Sequence, residues 1–295
     1  MTEHIIDISE RSGKLSVRYD NLILESDGEV LLTMPLSEIA TLVVSNQRVS
    51  YSHAVLAGIA GAGNTLIVCD EKHLPAAMLL PINSHFTQAE RFRLQAAAPL
   101  PVKKRLWQQI VRAKLRAQGA LLKEVTGEDH GLTAMAGRVR SGDTENLEGR
   151  AAQRYWPALF GPGFQRARDA EDVNRHLNYG YAVLRALVAR AICAAGLHPS
   201  LGLHHHNRYD AFCLADDLME PYRPMVDRAA AVWTKDRGAE TPLDAEAKAA
   251  LIGSLTGRLD VEGQQRTLFD VLSRSASSLV AVFEGTRKTI LLPEP

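Results

Sequence analysis

The stretch from residue 14 to residue 46 reads as a series of strands. Leu15, Val17 and Tyr19 alternate with polar neighbours, the period of a strand with one buried face. Leu22 to Leu24 and Val30 to Leu32 flank the segment ESDGE, whose Asp27–Gly28 pair predicts a hairpin turn. Ile39 to Val44 forms a further β-branched run. Residues 51 to 62, rich in Ala and Gly, predict a short helix. TLIVCD at 65 to 70 reads as a buried strand, and AAMLLP at 76 to 81 as one more, stopped by Pro81.

After about residue 85 the period changes from two to that of a helix. In the segments FTQAERFRLQAAA and VKKRLWQQIVRAKLRAQGALL, Trp107, Val111 and Leu115 share one face, with Leu106 and Ile110 beside them. Residues 145 to 160, 169 to 195, 207 to 220, 222 to 233, 243 to 256 and 262 to 283 also read as helices. The expected fold class is α+β: a small N-terminal β domain over residues 1–85, followed by a larger all-helical domain over residues 86–295. A short linkage is expected, with no internal repeat.

Composition narrows the class. With 295 residues, 46% of them hydrophobic, the chain can bury a core of about two domains. The 34 basic and 34 acidic residues cancel, so any sign of a nucleic-acid partner has to be local. Three cysteines, Cys69, Cys193 and Cys213, share no motif spacing and fit a reducing compartment, the cytoplasm. The opening MTEHIIDISERSG has neither the charge nor the apolar run of a signal peptide. No apolar stretch is long enough to span a membrane. Locally, the charge is uneven. From Arg91 to Lys123 there is no acidic residue, while Arg91, Arg93, Lys103, Lys104, Arg105, Arg112, Lys114, Arg116 and Lys123 are basic. Such a run is either a solvated helix face or a surface that neutralises phosphates.

Three spots carry side chains able to hold a hard cation. Glu148 in ENLEGRAAQRYW shares a helical face with Ala151, Ala152 and Tyr155. LGLHHHNRYD offers His204, His205 and His206. LADDLMEPYRP offers Asp216, Asp217 and Glu220, with Asp217 and Glu220 three residues apart on one face. Two glutamates with an imidazole suit Mg²⁺ or Mn²⁺. Zinc is the rival, although no HExxH pattern is present. Each spot alone also has an ordinary reading: a solvated glutamate, a loop of histidines, acids complementing a helix dipole.

Taken together and in order, these segments resemble the family of CRISPR-associated protein one, in its type II version. The similar stretches are CDEKHLPAAMLLP at 69–81, NLEGRAAQRYW at 146–156, VNRHLNYGYAVL at 173–184 and LGLHHHNRYDAFCLADDLMEPYRPMVD at 201–227. The resemblance implies that Glu148, His205 and Glu220 are the catalytic residues and hold Mg²⁺ or Mn²⁺. His205 is preferred to its neighbours because it lies fifteen residues before Glu220, as the family pattern requires. It also implies that Asp217, Tyr155, Asn178 and Tyr179 lie beside the ligands or against DNA, and that Lys103, Lys104 and Arg105 belong to a phosphate-contacting surface. Pro221 is expected to disturb the helix after Glu220.

The implied function is a metal-dependent DNA integrase or endonuclease. The 3′-hydroxyl of a short foreign fragment, the spacer, attacks a phosphodiester at the edge of a CRISPR repeat. Implied partners are double-stranded DNA (spacer precursor and repeat), a second copy of the chain paired through the β domain, CRISPR-associated protein two and the type II effector nuclease. Two other readings stay open: a general metal-dependent nuclease of branched DNA, and a catalytically silent DNA-binding scaffold. If two carboxylates face each other across an open space, repulsion predicts that Ala in place of Glu148 or Glu220 leaves stability unchanged or raises it.

Overall fold

A computed structural model describes residues 3–71, 75–81, 85–167 and 170–294. Residues 72–74, inside the segment CDEKHLPAAMLLP, lie outside the described residues. The N-terminal elements follow in the order β1 (His4–Ile8), β2 (Gly13–Arg18), β3 (Asn21–Ser26), β4 (Glu29–Pro35), β5 (Ile39–Val44), β6 (Val49–Tyr51), α1 (His53–Gly61), β7 (Thr65–Cys69) and β8 (Pro75–Leu79). They form two four-stranded sheets, β1-β5-β7-β8 and β4-β3-β2-β6. The ESDGE hairpin is present: Ser26 pairs with Glu29, and Asp27 and Gly28 both have positive φ, 51° and 83°. Two such residues in sequence make the tight turn whose twist matches the strands.

β5 is buried along its whole length and lies parallel to both β1 and β7. Its alternate residues serve different cores. Leu42 and Val44 join Leu15, Leu22 and Val55 between the two sheets, whereas Val43, between them, joins the core of the helical region. The same alternation divides Leu66 from Ile67 in β7. This is why both runs read as continuous hydrophobic segments.

The helical region comprises α2 (Gln88–Ala97), α3 (Leu100–Thr126), α4 (Leu132–Arg138), α5 (Leu147–Phe160), α6 (Val173–Ala194), α7 (Cys213–Met219), a 3₁₀ turn at Glu220–Tyr222, α8 (Arg223–Lys235), α9 (Ala245–Ser254) and α10 (Leu268–Phe283). The β-then-α order holds, with two differences from the sequence reading. Residues 207–212 are turns, because the Asn207 and Asp210 side chains accept the backbone N–H of Tyr209 and Phe212 at 3.0 and 2.8 Å. That bonding competes with a helix. The helical region is also not all-helical. A hairpin of β9 (Arg258–Val261) and β10 (Gln264–Thr267) turns at Glu262–Gly263 before α10 begins. Pro221 acts as expected: the α-helix stops at Met219, and one 3₁₀ turn re-aims the chain into α8.

Candidate active site

The site is built around α3. Its buried stripe contains Trp107, Ile110, Val111, Lys114, Leu115 and Gln118. Lys114 therefore occupies the apolar face, four residues after Ile110 and seven after Trp107, rather than the solvated one. Glu148 and Glu220 are the residues that satisfy it. Lys114 Nζ donates to Glu148 Oε1 at 2.5 Å and also lies 2.5 Å from Glu220 Oε2. The other oxygen of Glu220 accepts from Arg223 at 2.7 Å. Arg223 stacks its guanidinium over the Tyr181 ring at 4.1 Å.

Local structure sets each of these side chains. Glu148 lies in the first turn of α5, where the Asp143 carboxylate accepts the backbone N–H groups of Leu147 and Glu148, both at 2.9 Å. Asn146 accepts from Gly149, a second cap on the same end. Glu220 opens the 3₁₀ turn, which packs against α3, and Arg223 follows as the first residue of α8. Burial raises the pKa of Glu220, but the charges of Arg223 and Lys114 outweigh it and hold the carboxyl down at about 2. Burial lowers that of Lys114, and the two glutamates reverse the shift so that the amine stays protonated. The expectation of two carboxylates repelling across an open space is therefore overturned. An ammonium already joins them, and neither charge is unpaired.

His205 is set by Asp217. This carboxylate is fully buried. It accepts the backbone N–H of Leu203 at 2.6 Å, His204 at 3.0 Å and His205 at 3.1 Å, and the His205 ring Nδ1–H at 2.7 Å. The hydrogen bond from Nδ1 leaves Nε2 as the free ring nitrogen. Asp217 thus orients the histidine and the loop together. Gly202 makes the approach feasible: a Cβ there would lie 2.2 Å from the His205 carbonyl oxygen and 3.1 Å from Asp217 Oδ2. His204 stacks flat on Trp107 at 4.2 Å, and His205 meets the same ring edge-on at 5.7 Å. His206 is exposed, with Nδ1 bonded to the His204 carbonyl. The hydrogen bond to Asp217 raises the pKa of His205 against the opposing effect of burial, whereas burial lowers that of His204.

His205 and Glu220 line a cleft of about 920 Å³, together with Arg166, Arg185, Asn178 and Arg223. Glu148 is tied to it through Lys114. As placed, no three acidic, His or Cys side chains among the described residues close on a single point. The other candidates divide. Asn178 accepts from Arg166 at 2.6 Å at the cleft wall. Tyr155 is fully buried and donates to Asp227 at 2.7 Å; Asp227 also accepts from the Tyr181 hydroxyl. Tyr179 points away, its hydroxyl donating to Asp7 of β1. Lys103, Lys104 and Arg105 lie half-exposed or exposed near the start of α3. Three other members of the basic run are engaged internally: Arg91 donates to Ala195 O, Arg112 to Val139 O, and Lys114 to Glu148. Among the described residues, Lys114 in its role between the glutamates and the arginines Arg166, Arg185 and Arg223 were not expected from the sequence. A signal existed for Lys114, a cation at a position where the helical period demands an apolar residue.

Residues 7–247 match the model of the family described as CRISPR associated protein Cas1. A curated relative from Neisseria meningitidis serogroup C (strain 8013), CRISPR-associated endonuclease Cas1, is 37% identical over 289 residues, covering 97% of this chain and 94% of that protein. Among solved structures, a casposase bound to integration product superposes with a TM-score of 0.79 at 16% identity, over 98% of this chain and 92% of that one. A Cas1 protein from Thermotoga maritima gives a TM-score of 0.74 at 18% identity, covering 99% of this chain and all of that one.

Proposed function

The chain belongs to the Cas1 family of CRISPR-associated proteins, and from that premise we propose that it is a divalent-cation-dependent DNA integrase of the type II version. It joins the 3′-hydroxyl of a short foreign fragment to a phosphodiester at the edge of a CRISPR repeat. The observation that carries this reading is the convergence of the Glu148 and Glu220 carboxylates on one cationic group, beside the cleft that holds His205.

The donor set fits Mg²⁺ or Mn²⁺. Two carboxylates reach one point, and the His205 Nδ1–H···Asp217 bond frees Nε2. Glu148, His205 and Glu220 would hold the ion. Bound there, it would supply charge neutralisation to a scissile phosphate and to the oxygens that attack and leave. The chain's own residues do the rest. Asp217 fixes the His205 ring and its loop. Arg166, Arg185 and Arg223 give the cleft a positive wall for phosphate oxygens. Lys103, Lys104 and Arg105 hold the flanking duplex by its backbone, without reading sequence. In the reaction a P–O bond forms to the fragment's 3′-oxygen as the bond to the array's 3′-oxygen breaks. The proton lost by the first hydroxyl is regained by the second, and the number of phosphodiesters is unchanged.

The partners proposed with this reading are spacer and repeat DNA, a second copy of this chain, CRISPR-associated protein two and the effector nuclease, all in the cytoplasm. The β region serves self-pairing, since β4 is an edge strand and its Val30 is 57% exposed. Among the described residues no helix is long and apolar enough to cross a membrane. The test is incubation of the chain with a 3′-hydroxyl DNA fragment and a supercoiled repeat-bearing plasmid, with Mn²⁺ and with or without the partner protein. Covalently joined fragment at the repeat edge is expected, and none with Glu148→Gln. Shortened fragments without joined product would support the branched-DNA nuclease instead. Full joining by Glu148→Gln would remove the site from the mechanism.

A further inference from the structure

A buried ammonium between two carboxylates that are also to hold a divalent cation poses a problem of space and charge. Lys114 Nζ is 2.5 Å from an oxygen of each glutamate, so those oxygens are no more than twice that distance apart. An ion held by both would fall on or beside Nζ. Charge gives the same answer. Glu148 and Glu220 already have Lys114 and Arg223 as counter-charges, so a divalent cation would add two positive charges beside carboxylates that are already paired. A cation cannot be added there unless a positive charge leaves or a negative one arrives.

We propose that Lys114 is a positioning residue that exchanges partners: its ammonium clasps Glu148 and Glu220 together, yields that place to the divalent cation, and passes to a phosphate of the DNA that enters the cleft. This rests on the reading of Glu148 and Glu220 as ligands. The geometry suits the exchange. Lys114 presents a compact ammonium on a four-carbon stem, while Arg223 is pinned by Glu220 and by the Tyr181 ring. Released from the glutamates, a buried ammonium needs a new anion at once, and the arriving phosphodiester is that anion. Cation and DNA therefore bind with positive coupling, and by linkage each strengthens the other equally. The device keeps the site assembled but weak for metal until substrate is present.

The experiment measures Mn²⁺ affinity of the full chain by the EPR signal of free Mn²⁺. It is run with and without a duplex carrying a 3′-dideoxy end, which binds but cannot react. In the parent, DNA should tighten Mn²⁺ binding by about tenfold, within the usual range of such couplings. Lys114→Met should bind Mn²⁺ about tenfold more tightly than the parent without DNA, and should lose the DNA effect. Glu148→Gln, alone and combined with Lys114→Met, should weaken Mn²⁺ binding in both backgrounds. If Glu148→Gln weakens binding but Lys114→Met does not strengthen it, the exchange is wrong and the ligand reading stands. If Glu148→Gln has no effect in either background, the ligand reading fails and takes the exchange with it. Should Lys114→Met not fold, Mg²⁺ titration of the parent decides the matter. The lysine ε-carbon resonance that disappears in Lys114→Arg must shift as Mg²⁺ binds, and an unmoved resonance overturns the proposal.

Discussion

Replacing Glu220 with Ala removes the common partner of two buried cations. Its side chain is 5% exposed and lies 2.5 Å from Lys114 and 2.7 Å from Arg223. Truncation leaves Lys114 with Glu148 alone and Arg223 without a carboxylate partner. Breaking a buried pair in this way costs about 3 kcal/mol or more, because an uncompensated charge stays in a poorly solvated place. For a chain of this size that corresponds to roughly 6 °C in Tm. Glu148 differs: it is 24% exposed and has one ion partner, so Glu148→Ala should cost only about 1 kcal/mol, or roughly 2 °C. Differential scanning calorimetry without added metal measures both. Combining Lys114→Met with Glu220→Ala should cost less than the sum of the single changes, since Lys114→Met removes one of the two cations that Glu220→Ala deprives of a partner. Acid provides an independent check. The folded-state pKa of Glu220, about 2, lies below its ordinary value of 4.5. Its contribution is therefore complete above 4.5 and fades as pH falls toward 2, and Glu220→Gln should flatten the stability–pH curve in that window. If Glu220→Ala melts at or above the parent temperature, the carboxylates were repelling after all and the account of Lys114 is wrong.

Three further outcomes follow from the same geometry. His205 should titrate above its ordinary value of 6.5 by NMR, because its Nδ1–H bonds the Asp217 carboxylate. Its contribution to stability is complete below 6.5 and is lost as pH rises through the folded value, and Asp217→Asn should bring that value down. Reversing Lys103, Lys104 and Arg105 to Glu should weaken binding to unrelated duplexes about equally and make the salt dependence shallower, by up to ~3 in the log–log slope. Unchanged affinity at several salt concentrations would return that face to solvent. Tyr155→Phe should lower stability by about 2 kcal/mol through loss of its bond to buried Asp227, while leaving Mn²⁺ affinity unchanged. A loss of metal binding instead would place Tyr155 in the site.

Local pattern made the order of elements readable. Asp27–Gly28 announces its hairpin because two adjacent residues of positive φ are a purely local requirement. The Trp107–Val111–Leu115 face announces α3 because helical period is local as well. Elements that depended on competing local bonds were misread. Residues 207–212 carry helix-like spacing, yet Asn207 and Asp210 turn back on their own backbone. The helical spacing over 262–283 also hides the Glu262–Gly263 turn at its start, and α10 begins only at Leu268. The candidate ligands were found through resemblance rather than spacing, since no period connects Glu148, a histidine loop and the end of α7.

What the chain alone determined is the identity and order of its chemical groups: the hairpin-rich start, the helical remainder, the acid-free basic run, and the carboxylates and histidines from which Glu148, His205 and Glu220 are the candidate ligands. Only the tertiary structure decided their partners. It turned Lys114 inward to join two glutamates, divided the basic run into exposed and internally bonded members, gave Asp217 the task of orienting His205, and directed Tyr179 to Asp7 of β1. The physical reason is that charge pairing depends on distance and burial across elements far apart in sequence, and the period of a helix shows which face a residue occupies but not what another helix brings against it.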